Sequence, residues 1–304
     1  MYLGIDIGGS NFKYAISNLA NFEIDPYVLP INYHNSKEQV LNNINKLIEN
    51  NQIDKIGIGI PGVISLDGVI QVLPNLPDWE GFDIKSFLTA KQIPTYIDND
   101  ANIATLAELY EGNGKYLKNF LYITLGTGIG AGIIINRQIL RGDTNASGEI
   151  GHTIIDRNAN SEDFEPKFRT GIVEEFAGRK QILNYAKLVI NQYPNSKLNS
   201  IEKFDVADID KCAEQGDKAS EIILKKVAYD ISLAIISSLN LLDLHYVIIG
   251  GGISASNIII NEIRQNVKLR VLPHIAKDLS IQRAKFTANT GVIGSLIAAK
   301  FLAK

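Results

Sequence analysis

The chain has 304 residues, with 30 Lys and Arg against 33 Asp and Glu, and a single cysteine. Apolar residues at 45% and charged residues at 21% exclude a disordered chain, and a net charge of −3 without a dense Lys/Arg cluster excludes a nucleic-acid footprint. One cysteine excludes an internal disulfide and a cysteine-based zinc cluster, and the length exceeds one comfortable hydrophobic core, so about two domains are expected.

The chain opens on an apolar strand without a basic leader, and no apolar run reaches the roughly 20 residues that cross a bilayer. A cytoplasmic location and no membrane partner are therefore expected. Tyr2–Ile7, the glycines Gly8 and Gly9, and Phe12–Ile16 read as a hairpin. Residues 37–50 read as a helix, with Ser36 as its cap and Gln39 as the reciprocal partner. Val40, Leu41, Ile44, Leu47 and Ile48 lie on one face of it. Ile56–Ile60 is a buried strand, followed by a Pro/Gly turn and a further hairpin from Val63. Leu73–Trp79 reads as a rigid, polar loop.

Thr95–Ile97 is a short strand running through Asp98-Asn99-Asp100 into a helix from Ala101. The pattern then begins again: strand Phe120–Leu125, glycine turn Gly126–Gly130, returning strand Ala131–Asn136. A duplicated lobe follows from that resumption. Residues 156–171 read as a charged surface loop, 217–243 as a long core helix, and His245–Ile249 as a strand ending in Gly250-Gly251-Gly252. A last helix starts near Gly291. Hairpins mixed with strand-to-helix crossovers argue for an α/β fold.

Three glycine turns sit at strand ends, and glycine lets backbone N–H groups converge on an anion. Three such turns are better explained by one shared nucleotide than by plain hairpins. No GxxxxGK[ST] occurs, so a P-loop is excluded. Residues 57–62 match GxGxxG, but no helix follows for a pyrophosphate to meet, so the match is accidental. Within Asp98-Asn99-Asp100 the plain reading is a helix N-cap, and the functional one is a catalytic carboxylate at a strand-to-helix turn.

Five segments together resemble the ROK family (repressors, open reading frames and kinases) of the sugar kinase/actin superfamily. They are DIGGSNFK at 6–13, IDNDANIATLAE at 97–108, TLGTGIGAGI at 124–133, GEIGH at 148–152 and IIGGGIS at 248–254. The resemblance spans essentially the whole chain. It implies a two-lobed actin-like, RNase H-like α/β fold with a central cleft. Residues 1–118 plus 290–304 would form the small lobe and 119–289 the large one.

It also implies ATP-dependent phosphorylation of a hexose hydroxyl, glucose first, with Mg²⁺ as cofactor and a homodimer as the assembly. N-acetylmannosamine, N-acetylglucosamine, fructose or a β-glucoside are the alternative acceptors. On the matching positions, Asp100 would be the general base. Asp6 would hold the Mg²⁺–phosphate assembly, and Gly8, Gly9, Ser10 and Lys13 would lie at the phosphates. Gly126, Thr127 and Gly128 would bind them from the other lobe, with Gly250, Gly251 and Gly252 near the nucleoside. Asn99, Glu149, His152 and Glu174 would hydrogen-bond sugar hydroxyls, and Gly62 and Asn75 would line the pocket. Trp79 fits a core role as well as a sugar-stacking one.

Many relatives of this kind carry a zinc loop after the GH motif, in which the equivalent of His152 is a ligand. Here the segment DRNANSEDFEPKFRTGIVEE has no cysteine, and Ile172 stands at the expected cysteine position. A structural zinc needs four ligands, so none is expected. Phe164, Phe168 and Ile172 would hold the loop by packing instead. The repressor branch of the family places a helix-turn-helix before the first phosphate motif. That motif here begins at Asp6, so a sugar-sensing repressor is the remote alternative.

Overall fold

The computed structural model of the protein describes residues 1–21, 23–73, 76–159, 169–287 and 289–304. By their contacts these fall into two compact units. One comprises Met1–Lys118, Gly132–Ser147 and Lys285–Lys304, and the other Asn119–Ala131 and Gly148–Ala284.

The first unit starts with β1 (Tyr2–Ile7), β2 (Asn11–Ser17) and β3 (Tyr27–Pro30), each antiparallel to the one before. After α1 (Ser36–Asn50), β4 (Lys55–Ile60) returns parallel to β1. β5 (Val63–Ile64) and β6 (Ile70–Val72) form a small hairpin, and α2 (Ile84–Thr89) leads to β7 (Thr95–Asn99), parallel to β4. The sheet order is β3-β2-β1-β4-β7. No helix follows Gly62, so the GxGxxG match is indeed not a dinucleotide fingerprint.

The chain continues through α3 (Asp100–Glu111), β8 (Phe120–Leu125), β9 (Ile129–Ile135) and β10 (Gln138–Ile139). Among the described residues α4 (Glu174–Ala177), α5 (Arg179–Ile190), α6 (Val206–Glu214) and α7 (Lys218–Leu242) come next. β11 (Tyr246–Gly250) lies parallel to β8, and after α8 (Asn257–Arg270) and α9 (Pro273–Asp278), β12 (Ser280–Arg283) lies parallel to β11. The second sheet is ordered β10-β9-β8-β11-β12. Each sheet therefore has three chain-consecutive strands, then two later strands added parallel beside the first. The resumption read at Phe120 is this repeat.

The last helix, α10 (Thr290–Leu302), packs on β1 and β4 of the first sheet. Glycine makes the approach close. A Cβ at Gly57 would lie 1.8 Å from the Ser295 carbonyl oxygen, and one at Gly4 would lie 2.5 Å from Leu296 Cγ. A separate cluster joins the sheet residues Leu3, Ile5, Ile7, Ile56, Ile58 and Ile60 to Val40 and Ile44 of α1, all fully buried. Removing one such side chain costs about 2–5 kcal/mol.

Two local expectations are corrected. Ser36 is the first residue of α1, not its cap, and Asn35 holds the cap position without a side-chain bond. The Ser36 hydroxyl donates to Asp78 Oδ1 at 2.7 Å and accepts from Trp79 Nε1 at 2.9 Å. A buried indole N–H needs a partner, and this long-range demand outranks a local cap. Gln39 instead accepts from the Asn32 N–H and donates to the Pro30 carbonyl, each at 2.8 Å.

The Leu73–Trp79 loop is not polar in its anchoring, since Leu73, Leu76 and Trp79 are all 0% exposed. The Leu76 N–H donates to the Leu73 carbonyl at 2.9 Å, a 3₁₀ helix follows at Pro77–Trp79, and all three side chains join the core cluster of the first sheet. Trp79 is a core residue. Asn75 lies outside the described residues, as do Phe164 and Phe168.

Candidate active site

In the first unit, β7 delivers Asp98-Asn99-Asp100 to the start of α3. Asn99 is the N-cap, its Oδ1 accepting from the N–H groups of Ala101 at 2.8 Å and Asn102 at 3.4 Å. The plain N-cap reading therefore holds for Asn99. Its Nδ2 donates to the Gly62 carbonyl at 2.7 Å, which joins two of the expected site residues. Gly62 has φ +95°, and a Cβ there would lie 2.1 Å from the Val72 carbonyl oxygen, so only glycine fits. Asp100 is exposed in the first helical turn, where the helix dipole favours negative charge, and its Oδ1 accepts from the Ala101 N–H at 2.8 Å.

Asp98 is wholly buried and was not among the expected site residues. It pairs with Arg141 at 2.8 Å and accepts from the Tyr96 hydroxyl at 2.7 Å. Burial, then the Asp98 charge, pushes the Tyr96 hydroxyl far above its ordinary range. Burial works against the Arg141 charge, but Asp98 beside it more than compensates and raises it.

The β1–β2 turn is held by the Gly8 N–H donating to the Asn11 carbonyl at 2.8 Å and the Ile31 N–H donating to the Ser10 carbonyl at 2.9 Å. Gly9 lies within this turn. Asp6 sits opposite Lys13 in the strand register. Loss of solvent pushes the Asp6 carboxyl up, and Lys13 pulls it back. A Cβ at Gly291, the second residue of α10, would lie 2.4 Å from Asp6 Cγ. The carboxylate thus fills the space that glycine leaves.

In the second unit, Glu174 gathers the expected sugar and phosphate residues. Its Oε2 accepts from the Ile129 N–H at 2.8 Å, and a Cβ at Gly128 would lie 2.4 Å from that same oxygen. Arg169 Nη2 donates to Glu174 Oε1 at 2.8 Å, while Arg169 Nε donates to Glu175 Oε1 at 2.7 Å. Glu174, rather than Glu175, is the one beside Gly128. Glu149 lies within electrostatic reach of both His152 and Glu174. Partial burial raises its carboxyl, His152 lowers it and Glu174 raises it further. The ends of the loop after His152 are laced together, with Ile155 N–H donating to the Gly171 carbonyl at 2.8 Å and Val173 N–H to the Thr153 carbonyl at 2.9 Å. Ile172 is buried there. Among the described residues no group of three His, Cys, Asp or Glu side chains is arranged to hold a metal ion.

A cavity of ≈ 460 Å³ in the second unit is lined by Gly126, Thr127, Arg179, Asp205, Gly252 and Ser256, among others. Two of the three glycine turns thus reach one cavity. A Cβ at Gly126 or at Gly252 would meet nothing within 4 Å, which leaves backbone open to a ligand. Gly250 and Gly251 are instead structural: added Cβ atoms would lie 2.3 Å from the Tyr122 hydroxyl and from the Leu125 carbonyl oxygen. Arg179 and Asp205 form a two-pronged ion pair on the cavity wall, at 2.8 and 2.6 Å. Ser256 donates to Asp210 on the same wall. No sequence motif pointed to this polar wall or to Arg141 and Arg169, because their partners lie far off in the chain or in no recurrent pattern.

Residues 2–301 match the model of the ROK family. The chain is 32% identical over 310 residues to a glucokinase of Halalkalibacterium halodurans, covering 96% of this chain and 93% of that protein. It is 28% identical over 309 residues to a xylose repressor of Caldicellulosiruptor bescii, covering 97% of this chain and 76% of the repressor. Its structure is similar, at a TM-score of 0.80 and 22% identity, to a ROK family glucokinase from Streptomyces griseus in complex with glucose and AMPPNP. That likeness covers 98% of this chain and 99% of the other, and shows a common fold.

Proposed function

This chain belongs to the ROK family, and on that premise we propose that it is an ATP-dependent sugar kinase acting on a hexose hydroxyl, glucose first. The observation that carries this reading is the ≈ 460 Å³ cavity lined by Thr127 and by Gly126 and Gly252, whose backbone is open. Its size lies within the roughly 300–1,000 Å³ of small-molecule sites.

In this reading Asp100 takes the proton of the attacking hydroxyl while the sugar oxygen bonds the γ-phosphorus and the bond to ADP breaks. Its exposure in the first turn of α3 supports the role. Phosphoryl transfer relies on alignment and charge stabilisation more than on base strength. Asn99, Glu149, His152 and Glu174 hold sugar hydroxyls, and Gly62 shapes the pocket. Gly126, Thr127 and Gly128 carry phosphates, as do Gly8, Gly9 and Ser10. Gly252 flanks the nucleoside, and Gly250 and Gly251 set the turn that presents it. Asp6, half-buried beside Lys13, fits a carboxylate that faces a cation, and Mg²⁺ bound with the nucleotide supplies charge neutralisation there. The reading includes a cytoplasmic homodimer without structural zinc, and metal analysis of purified protein tests the last point.

A coupled ADP-release assay across glucose, fructose, N-acetylmannosamine, N-acetylglucosamine and β-glucosides is the direct experiment. Glucose is expected to give the highest kcat/KM. The similarity to a xylose repressor supplies the second reading, a sugar sensor without turnover. Sugar binding with no ADP released for any acceptor would select it.

A further inference from the structure

Resting on the kinase reading, we propose that Arg141 is a positioning residue for the turn that carries Asn99 and Asp100. Four donors converge on the buried Asp98 carboxylate. Oδ1 accepts from the Asn99 N–H and from Asn102 Nδ2, each at 2.9 Å, and Oδ2 takes the Tyr96 hydroxyl at 2.7 Å and Arg141 Nη1 at 2.8 Å. Arg141 then extends the network. Its Nη2 donates to the Tyr96 hydroxyl at 2.6 Å, and its Nη1 donates to Asn145 Oδ1 at 2.7 Å.

Asn145, itself buried, donates through Nδ2 to the Ile64 carbonyl at 2.8 Å. Two residues before Ile64, the Gly62 carbonyl accepts Asn99 Nδ2. The connections close into a ring: Asp98, Asn99, the Gly62–Ile64 segment, Asn145, Arg141 and back to Asp98. The ring encloses the point where the chain leaves β7 for α3, and Asp100 is the next residue along.

A buried ion pair is a poor source of stability, because apolar side chains of the same size do as well. What this pair supplies is direction. It fixes Asp98 at Oδ2, so that Oδ1 stays aimed at the Asn99 N–H and Asn102 Nδ2, and through Asn99 it braces the Gly62 turn. An error of about 1 Å in placing a reacting group costs on the order of a hundredfold in rate. Arg141 touches no reacting atom in this scheme. It acts through the backbone of the turn.

The test separates position from stability. Arg141→Met alone leaves Asp98 as an unpaired buried charge and can fail to fold, so the decisive protein is the double variant Asp98→Asn with Arg141→Met, which removes both charges. It is expected to keep an unfolding midpoint close to that of the parent. Its kcat is expected to fall about ten- to a hundredfold, with KM for the sugar raised and KM for ATP unchanged. Amide hydrogen exchange at Asn99, Ala101 and Asn102 is expected to speed up in the same protein. A folded double variant with parental kcat and parental exchange overturns the proposal. If the parent phosphorylates no sugar, the kinase reading falls on its own. The exchange comparison still decides whether Arg141 holds the turn.

Discussion

Two turns occupy the same place in the two sheets and are finished in opposite ways. β4 ends in Ile60-Pro61-Gly62 and β11 in Gly250-Gly251-Gly252, each after the strand that lies parallel to the first strand of its sheet. Both contain a glycine at positive φ, +95° at Gly62 and +82° at Gly251. In the first unit the turn is closed: the Gly62 carbonyl is taken by Asn99, and Val72 blocks the space where a side chain would go. In the second unit Gly251 is pressed against Leu125, but Gly252 beside it faces open space and lines the cavity. One scaffold thus supplies both a brace for side chains and a bare backbone for a ligand. The difference is made by what the neighbouring helix start brings: an Asn–Asp pair in one case, a 3₁₀ turn at Gly252–Ala255 in the other.

The comparison is sharpest at Asp100. Asp100→Asn should fold and bind sugar while losing about two to four decades of turnover, read by steady-state kinetics beside calorimetric sugar binding. Near-parental turnover would remove the chemical half of the contrast. Next in size is Gly62→Ala, expected to lose roughly 2–4 kcal/mol from strained φ and the clash with Val72. Denaturant unfolding measures it, and an unchanged midpoint would mean the turn is not closed as described. Its counterpart, Gly252→Ala, should stay within about 0.5 kcal/mol of the parent in stability while KM for ATP rises severalfold. A stability loss with unchanged KM would reverse the assignment of the open turn.

The smallest effect concerns pH. Partial burial holds the Glu149 carboxyl above its ordinary value of 4.5, with His152 opposing and Glu174 reinforcing. The carboxylate therefore takes up a proton at a higher pH than an ordinary Glu, and sugar affinity should weaken as pH falls through that window. Glu149→Gln should flatten the profile in calorimetric titrations. Equal slopes in parent and variant would detach Glu149 from the sugar.

What the sequence made legible was local. The hairpins at Gly8 and Gly126, the β7–α3 junction and the long α7 rest on neighbours in the chain, so period and turn chemistry revealed them. α5 and α8 carry a helical signal of the same local kind, in the buried stripes Ile182, Ala186, Val189 and Ile259, Ile263, Val267. The spacing of Leu73, Leu76 and Trp79 likewise pointed to an apolar anchor. Other features were not readable. Ser36 looks like a cap until Trp79 arrives from 43 positions away, and Arg141 is an ordinary loop arginine until Asp98, also 43 positions away, needs a cation. Glu174 could be aligned with a sugar ligand, but nothing local says that its other oxygen is held by Arg169.

The seating of α10 has a consequence for how the protein is made. β1 and β4 leave the ribosome well before the helix whose Ser295 and Leu296 back onto Gly57 and Gly4. Until then the face of the sheet that carries Gly4 and Gly57 stays uncovered. Nascent chains stalled before residue 290 should leave that face open, and emergence of α10, rather than completion of either sheet, should be the moment at which the first unit becomes resistant to protease.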